Sequence, residues 1–401
     1  MMTKEQILYS FIINTSDADI AVIEGNRGIY DGLDSSGNFS TASLAKLLKA
    51  PVILIVDCSM SSTTIAALIL GCQMFDPEVN IKGVILNNVG KKRQAIILKE
   101  AVEQKCKIPV IGIIPKIKEN IFPQRHMGLV TIEEHEYIDK SISIMREIVQ
   151  KTINLNKIID LAIQNSGDLS FPLINISNVE KISSPKLTIG IIKDSAFCFY
   201  YPENLTYLEK NGIIIIEINS LTLKNIPDEI DALYIGGGFP ETHVKELSSN
   251  VDFHNSLKNL VEKGLPVYAE CGGLIFLGKS LYYQDKEYNM SGILPINFRL
   301  ENFPIGHGYT ILKTDKENPF FEIGTIIRGH EFHYSRVVEW DKTKLDTVFQ
   351  VERGYGIDGK RDGFVYKNVL ASYFHIHALA FPQWIQSLIL KAKYFNTLRK
   401  N

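Results

Sequence analysis

Short runs of β-branched apolar residues recur along this chain and alternate with stretches of helical patterning. That alternation restricts the fold more than any other feature. ADIAVIEG (18–25) reads as a buried strand ending in a turn. STASLAKLLKA (40–50) reads as a helix that Ser40 or Thr41 could cap, with Leu44, Leu47 and Leu48 on one face. PVILIVD (51–57) is a second strand and SSTTIAALILGCQMF (61–75) a second helix; IKGVILNNV (81–89) and KIPVIGIIP (107–115) are strands with a polar helix between them. Strands that are apolar throughout and separated by helices predict a parallel sheet covered on both faces. Residues 165–186, rich in Ser, Asn and Pro, read as a linker. A second α/β series follows in KLTIGIIKD, IIIIEIN, IDALYIGGG and LPVYAEC, and from about residue 288 aromatic, glycine and alternating patterns predict strands and loops that complete a second domain. The expected division is a domain over 1–164, a linker over 165–186 and a domain over 187–401; 401 residues also exceed what one core usually serves.

Composition excludes several classes. A formal net charge of -2 gives no global basic field for nucleic acid or membrane, so a polyanionic small substrate would need a local basic cluster. Cys58, Cys72, Cys106, Cys198 and Cys271 form no C-x-x-C pair and no zinc spacing, which points to free thiols in a reducing compartment. MMTKEQILYS lacks the pattern of a secretory signal, and apolar runs such as PVILIV are too short to span a bilayer. The expectation is a soluble, cytoplasmic protein.

Chemistry concentrates in the second domain. In LPVYAECGGLIFLG (265–278) a β-like run ends at Cys271, two glycines follow and an apolar helix-like stretch begins, the sequence form of a nucleophile elbow. The glycine after the cysteine would allow a tight turn, and a helix N-terminus with a nearby histidine would lower the thiol pKa. The plain alternative is a buried structural cysteine at a strand end. LYIGGGFPE (233–241) ends a strand in glycines, either a turn that aims backbone N–H groups at an oxyanion or an ordinary Gly-rich turn. In ASYFHIHALAF (371–381), His375 and His377 alternate with apolar residues and would share a strand face, as a catalytic base with its neighbour or as structural histidines. GHEFHYS (329–335) lacks the helical H-E-x-x-H zinc spacing. Gly273, Gly278, Lys279 and Ser280 fit G-x-x-x-x-G-K-S, but the spacer Leu274-Ile275-Phe276-Leu277 is apolar and suits a helix packed on a sheet better than a phosphate loop.

Taken together, DSAFCFYYPENL (194–205), LYIGGGFPE, VYAECGGLIFLG, GHGY (306–309), GHEFHYS and ASYFHIHA occur in an order that resembles the cobyrinic acid a,c-diamide synthase family. VIEGNRGIYDG (22–32), STASLAKLLKAPVILIVD, GVILNNV and RHMGLV (125–130) resemble its N-terminal synthetase domain, so the likeness covers essentially the whole chain. The resemblance implies a P-loop-NTPase-like (dethiobiotin-synthetase-like) parallel α/β domain joined to a class I glutamine amidotransferase-like α/β domain. It implies amidation of the a and c carboxylates of cobyrinic acid or a related tetrapyrrole, with glutamine as nitrogen donor and ATP with Mg2+ activating the carboxylates as acyl phosphates. On this reading Cys271 is the nucleophile and His375 the base. His377 stands where class I enzymes carry the third triad member, and Gly237, Gly238 and Gly272 hold the oxyanion. Glu24, expected at a strand end, takes the place of the acidic magnesium residue. Asn87 matches an asparagine that reads the nucleotide base, Asn88 stands where the family usually has Arg or Lys, and Arg125 and His126 would face the substrate. No nucleic acid or membrane partner is implied, and a homodimer is an open state of assembly.

The family begins with a strand, a phosphate loop and a helix that these 401 residues do not contain. The reading expects an incomplete sequence with Met1 or Met2 an internal start, ahead of a split enzyme or a loss of ATP chemistry. Rival functions are a nickel-sirohydrochlorin a,c-diamide synthase and, from another class, a stand-alone glutaminase or tetrapyrrole-binding protein.

Overall fold

The computed structural model describes residues 1–117, 121–122, 137–164 and 186–400, together with the backbone of 124–125 and 128–129. The chain divides into two compact units, Lys4–Ile174 and Met1–Thr3 with Asn175–Asn401. The expected linker at 165–186 lies outside the described residues up to 185.

In the first unit, α1 (Lys4–Thr15) and α2 (Thr41–Leu47) precede β1 (Val52–Asp57), α3 (Thr64–Phe75), β2 (Ile81–Val89), α4 (Lys92–Cys106) and β3 (Val110–Pro115). The paired short strands β4 (Gln124–Arg125) and β5 (Gly128–Leu129) follow, then α5 (Ile138–Thr152) and α6 (Leu155–Gln164). Strands β1, β2 and β3 form a parallel sheet in that order. Val84 and Leu86 of β2 pack with Ile65 and Ile69 of α3 and with Leu98 and Val102 of α4. Ser40 caps α2 by accepting a hydrogen bond from Ser43 N at 3.2 Å, a contact worth about 1 kcal/mol. The strand expected at 18–25 is absent: that segment is irregular and Val22 is 90% exposed. An apolar run becomes a strand only where a ladder takes up its backbone groups, and among the described residues β1 has no partner but β2.

The second unit opens with β6 (Thr188–Ile192), α7 (Pro202–Lys210), β7 (Ile214–Ile218), β8 (Ala232–Ile235), α8 (Val244–Ser249), α9 (Val251–Glu262), β9 (Val267–Glu270) and α10 (Gly272–Leu277). Next come β10 (Ser280–Tyr283), β11 (Lys286–Asn289), β12 (Ile296–Leu300), β13 (Gly306–Thr314), β14 (Ile326–His333), β15 (Ser335–Trp340), β16 (Asp346–Arg353), β17 (Arg361–Tyr366), β18 (Val369–Ser372) and α11 (Gln383–Lys400). The main sheet runs β14-β13-β16-β17-β18-β9-β8-β6-β7, parallel from β18 to β7 and antiparallel beyond. A side sheet runs β11-β10-β12-β15.

Strand alternation builds two cores on the main sheet. Leu233, Ile235, Val267 and Ala269 join Phe253, Leu257 and the apolar residues of α10 on one face. Tyr234 and Tyr268 join Leu208 and Trp384, Ile385 and Leu388 of α11 on the other. Strands β7 and β8 flank β6 on opposite sides, so the winding direction reverses there. Open α/β sheets bind ligands outside the carboxyl ends of their strands near such a reversal.

Candidate active site

Strand β9 ends at Glu270 and α10 begins at Gly272, which leaves Cys271 to turn the chain. It does so at φ 49° and ψ -99°, a region that costs a non-glycine residue about 1–3 kcal/mol. The strain therefore sits on the cysteine, not on the glycine after it as the sequence suggests. The glycines serve close approach instead: a Cβ on Gly272 would stand 3.0 Å from Gly238 N, and one on Gly273 2.7 Å from Ile235 O. Cys271 N donates to Ser372 O at 2.8 Å, and its thiol donates to Phe332 O at 3.7 Å. Residues Leu274, Ile275, Phe276 and Leu277 are all buried in α10, so the segment resembling a phosphate loop is packed helix.

Cys271 is only 6% exposed. The lowered thiol pKa expected from the helix N-terminus is not what the surroundings produce. Burial pushes the thiol up, the Glu241, Glu270 and Glu331 carboxylates act the same way, and the Gly272 N–H acts against them. The helix is one and a half turns long, too weak a dipole to offset desolvation. The resting side chain is a thiol whose proton needs an acceptor.

The turn after β8 meets this elbow. Gly236 N donates to Tyr200 Oη at 2.8 Å, Phe199 N to Gly237 O at 3.0 Å and Phe239 N to Ala196 O at 2.8 Å, so the segment after β6 is laced to the glycines. A Cβ on Gly238 would collide with Ala196 O, and one on Gly237 would stand 2.5 Å from His375 Cε1. Consecutive glycines thus touch His375 on one side and the residue after Cys271 on the other. Their closeness brings imidazole and thiol-bearing turn to one spot.

His375 and His377 lie beyond β18 and not on a regular strand. His375 forms an antiparallel bridge with His330, and their rings stack at 4.8 Å. His375 Nδ1 lies 3.2 Å from Glu270 Oε2; Glu270 Oε1 accepts from Ile376 N at 3.2 Å, and Tyr234 Oη donates to Oε2 at 3.2 Å. Asn204 of α7 fastens the same segment, donating to Ile376 O at 3.0 Å and accepting from Ala378 N at 2.7 Å. Burial lowers the His375 imidazole to about 4 and raises the Glu270 carboxyl to about 8. His377, expected beside His375 as the third member, turns to a different carboxylate. Its Nε2 lies 3.5 Å from Glu203 Oε2, its Nδ1 accepts from Leu379 N at 3.1 Å, and its ring lies 4.5 Å from that of Tyr201. Tyr201 Oη is also 2.9 Å from His330 Nδ1.

Glu270, Tyr201, Asn204 and Tyr234 are not among the residues that the motifs single out. The one signal for Glu270 is a carboxylate at the last position of an otherwise apolar strand.

In the first unit Glu24 is exposed in irregular chain, not at a strand end. Asn87 lies near the end of β2, half-buried, and its carbonyl accepts from Cys58 N at 2.8 Å. Asn88 adopts φ 57°, a left-handed conformation that asparagine tolerates, and its Nδ2 donates to Asp57 Oδ2 at 2.8 Å. That geometry accounts for asparagine where the resemblance suggests Arg or Lys. Hydrogen bonds from Ser59 hold the Asp57 carboxyl below its usual range. Arg125 has its backbone in β4; its side chain and His126 lie outside the described residues. Among the described residues no group of three or more His, Cys, Asp or Glu could hold a metal ion, and no helix is long and apolar enough to cross a membrane. All five cysteines are free.

The profile of the CobB/CobQ-like glutamine amidotransferase domain matches residues 188–383, and that of an AAA domain matches residues 2–124. The chain is 41% identical to a cobyrinate a,c-diamide synthase of Archaeoglobus fulgidus, over 98% of this chain and 84% of the relative. It is 37% identical to one from Magnetococcus marinus, over 96% of this chain and 82% of the relative. A third, from Caldanaerobacter subterraneus, is 35% identical over 98% of this chain and 86% of its own length.

Proposed function

The chain belongs to the cobyrinate a,c-diamide synthase family, and from that premise we propose that Cys271 and His375 perform the glutamine half of its reaction. The activity is a carbon–nitrogen ligation: ATP- and glutamine-dependent amidation of the a and c carboxylates of cobyrinate. The strained elbow at Cys271 (φ 49°, at the carboxyl end of β9) is the observation that carries the assignment.

The steps follow from the surroundings. His375, neutral because burial lowers it to about 4, accepts the thiol proton as sulfur attacks the glutamine side-chain carbonyl. A tetrahedral oxyanion forms, and the backbone N–H groups of Gly237, Gly238 and Gly272 would hold it, a role supported by the close packing of Gly238 N against Gly272 beside Cys271. His375 returns the proton to the departing nitrogen, which leaves as ammonia, and a γ-glutamyl thioester remains on Cys271. Water, deprotonated by His375, then releases glutamate. Ammonia attacks the substrate carboxyl that ATP has activated as an acyl phosphate, and phosphate leaves.

The synthetase half draws on Asn87 for the nucleotide and on Arg125 and His126 for the anionic substrate. Magnesium would enter with ATP rather than wait in a preformed cage, since Glu24 stands as a lone exposed carboxylate.

The test is glutamine hydrolysis by Cys271→Ala. A loss of more than about 10⁴-fold in kcat is expected; hydrolysis at the wild-type rate would remove Cys271 from the mechanism.

A further inference from the structure

We infer that Glu270 is the positioning residue of this site, holding His375 by its Nδ1 so that Nε2 is the nitrogen that takes the thiol proton. The inference rests on the roles proposed for Cys271 and His375 and adds the member that their pairing lacks.

Strand geometry explains how a residue adjacent to the nucleophile can serve the base. Glu270 follows Tyr268 in the alternation of β9, so it points to the face lined by Tyr234 and Tyr268, and in register it stands opposite Ser372 of β18. The chain leaving β18 passes over it. One carboxylate oxygen takes Ile376 N, and the other takes His375 Nδ1 and Tyr234 Oη. A carboxylate that is 1% exposed is costly to keep for packing alone. The contact to Nδ1 fixes the ring, the other two hold the carboxyl group in place, and in its ionised form, which dominates above about pH 8, Glu270 compensates the imidazolium that forms when Cys271 gives up its proton. His377 cannot take this part, because its own nitrogens are engaged by Glu203 and Leu379 N.

Replacement by glutamine is diagnostic because the site asks for acceptors at both oxygens. If the amide NH2 faces His375, the ring must carry its proton on Nε2 and cannot act as base there. If the amide oxygen faces His375, the NH2 meets the Ile376 N–H, donor against donor.

The experiment is steady-state glutamine hydrolysis from pH 6 to 10 by wild type, Glu270→Gln, Glu270→Asp and Cys271→Ala, each checked by thermal melting. Glu270→Gln should lower kcat by about 10³-fold, with KM for glutamine within about twofold. Glu270→Asp, which keeps the charge, should recover at least about tenfold of that loss. Glu270→Gln within about threefold of wild type, beside an inactive Cys271→Ala, would overturn the assignment of Glu270 alone. An active Cys271→Ala would overturn the underlying reading instead. If glutamine at 270 prevents folding, Glu270→Ala decides: a kcat loss of about 10²-fold or more with KM within about twofold supports the inference, and an unchanged kcat refutes it.

Discussion

The two units use similar ingredients and finish them differently. In the second, β8, β9 and β18 are buried at every position, and helices cover both faces of the sheet. In the first, β1 pairs only with β2 among the described residues and has Ile55 68% exposed, and apolar side chains such as Val22 and Met60 stand in the open. The candidate catalytic groups of the second unit are each held by several partners. Of those expected in the first, Glu24 lies in exposed irregular chain and Asn87 is half-buried near the end of β2. A site that must hold a strained cysteine and a buried imidazole–carboxylate pair needs a closed core behind it, because only dense packing over-determines such geometry.

Three substitutions can break or sharpen this contrast. The largest effect is expected at Trp384, fully buried between the rings of Tyr234 and Tyr268. Trp384→Ala should cost about 3–5 kcal/mol in denaturant unfolding of its unit; a cost near zero would mean that the second core is far looser than its burial indicates.

Next is Asp362, wholly buried, with one oxygen accepting from Gly363 N and Tyr373 N and the other unpartnered. Burial raises its carboxyl from 3.8 to about 7. The folded state then binds the proton more tightly than the unfolded state, so the stability Asp362 contributes is complete below about pH 4 and is lost as the pH rises through 7. Asp362→Asn, which mimics the protonated form, should melt several degrees higher relative to wild type at pH 8 than at pH 4, at about 2–4 °C per kcal/mol. A difference that stays constant with pH would refute the buried-acid assignment.

The smallest effect is expected at β1. Ile55→Ser should change stability by less than about 0.5 kcal/mol, the value for an exposed position. A loss of about 2 kcal/mol or more, read by the same denaturant titration, would mean that this face is covered in the working protein.

Much of the architecture is legible in the residues themselves. The helix after Ser40, strands β1, β2 and β3, and the succession β6 to β9 follow from local periodicity and capping, which depend on residues a few positions apart. The elbow at Cys271 is legible for the same reason, since strand, turn and helix are consecutive. The run at 18–25 misleads because its pattern describes a strand without supplying the neighbour a strand needs. His377 misleads because two residues of separation suggest a shared face, while the chain there follows no strand.

By itself the sequence determined the α/β succession, the glycine segment that follows β8 and the strand-to-helix elbow at Cys271, all matters of local chemistry. Only the tertiary structure decided that Glu270 and not His377 meets His375, a contact across 105 positions of chain. It alone decided that burial raises the thiol rather than lowering it, because desolvation depends on everything packed around a group and not on its neighbours in the chain.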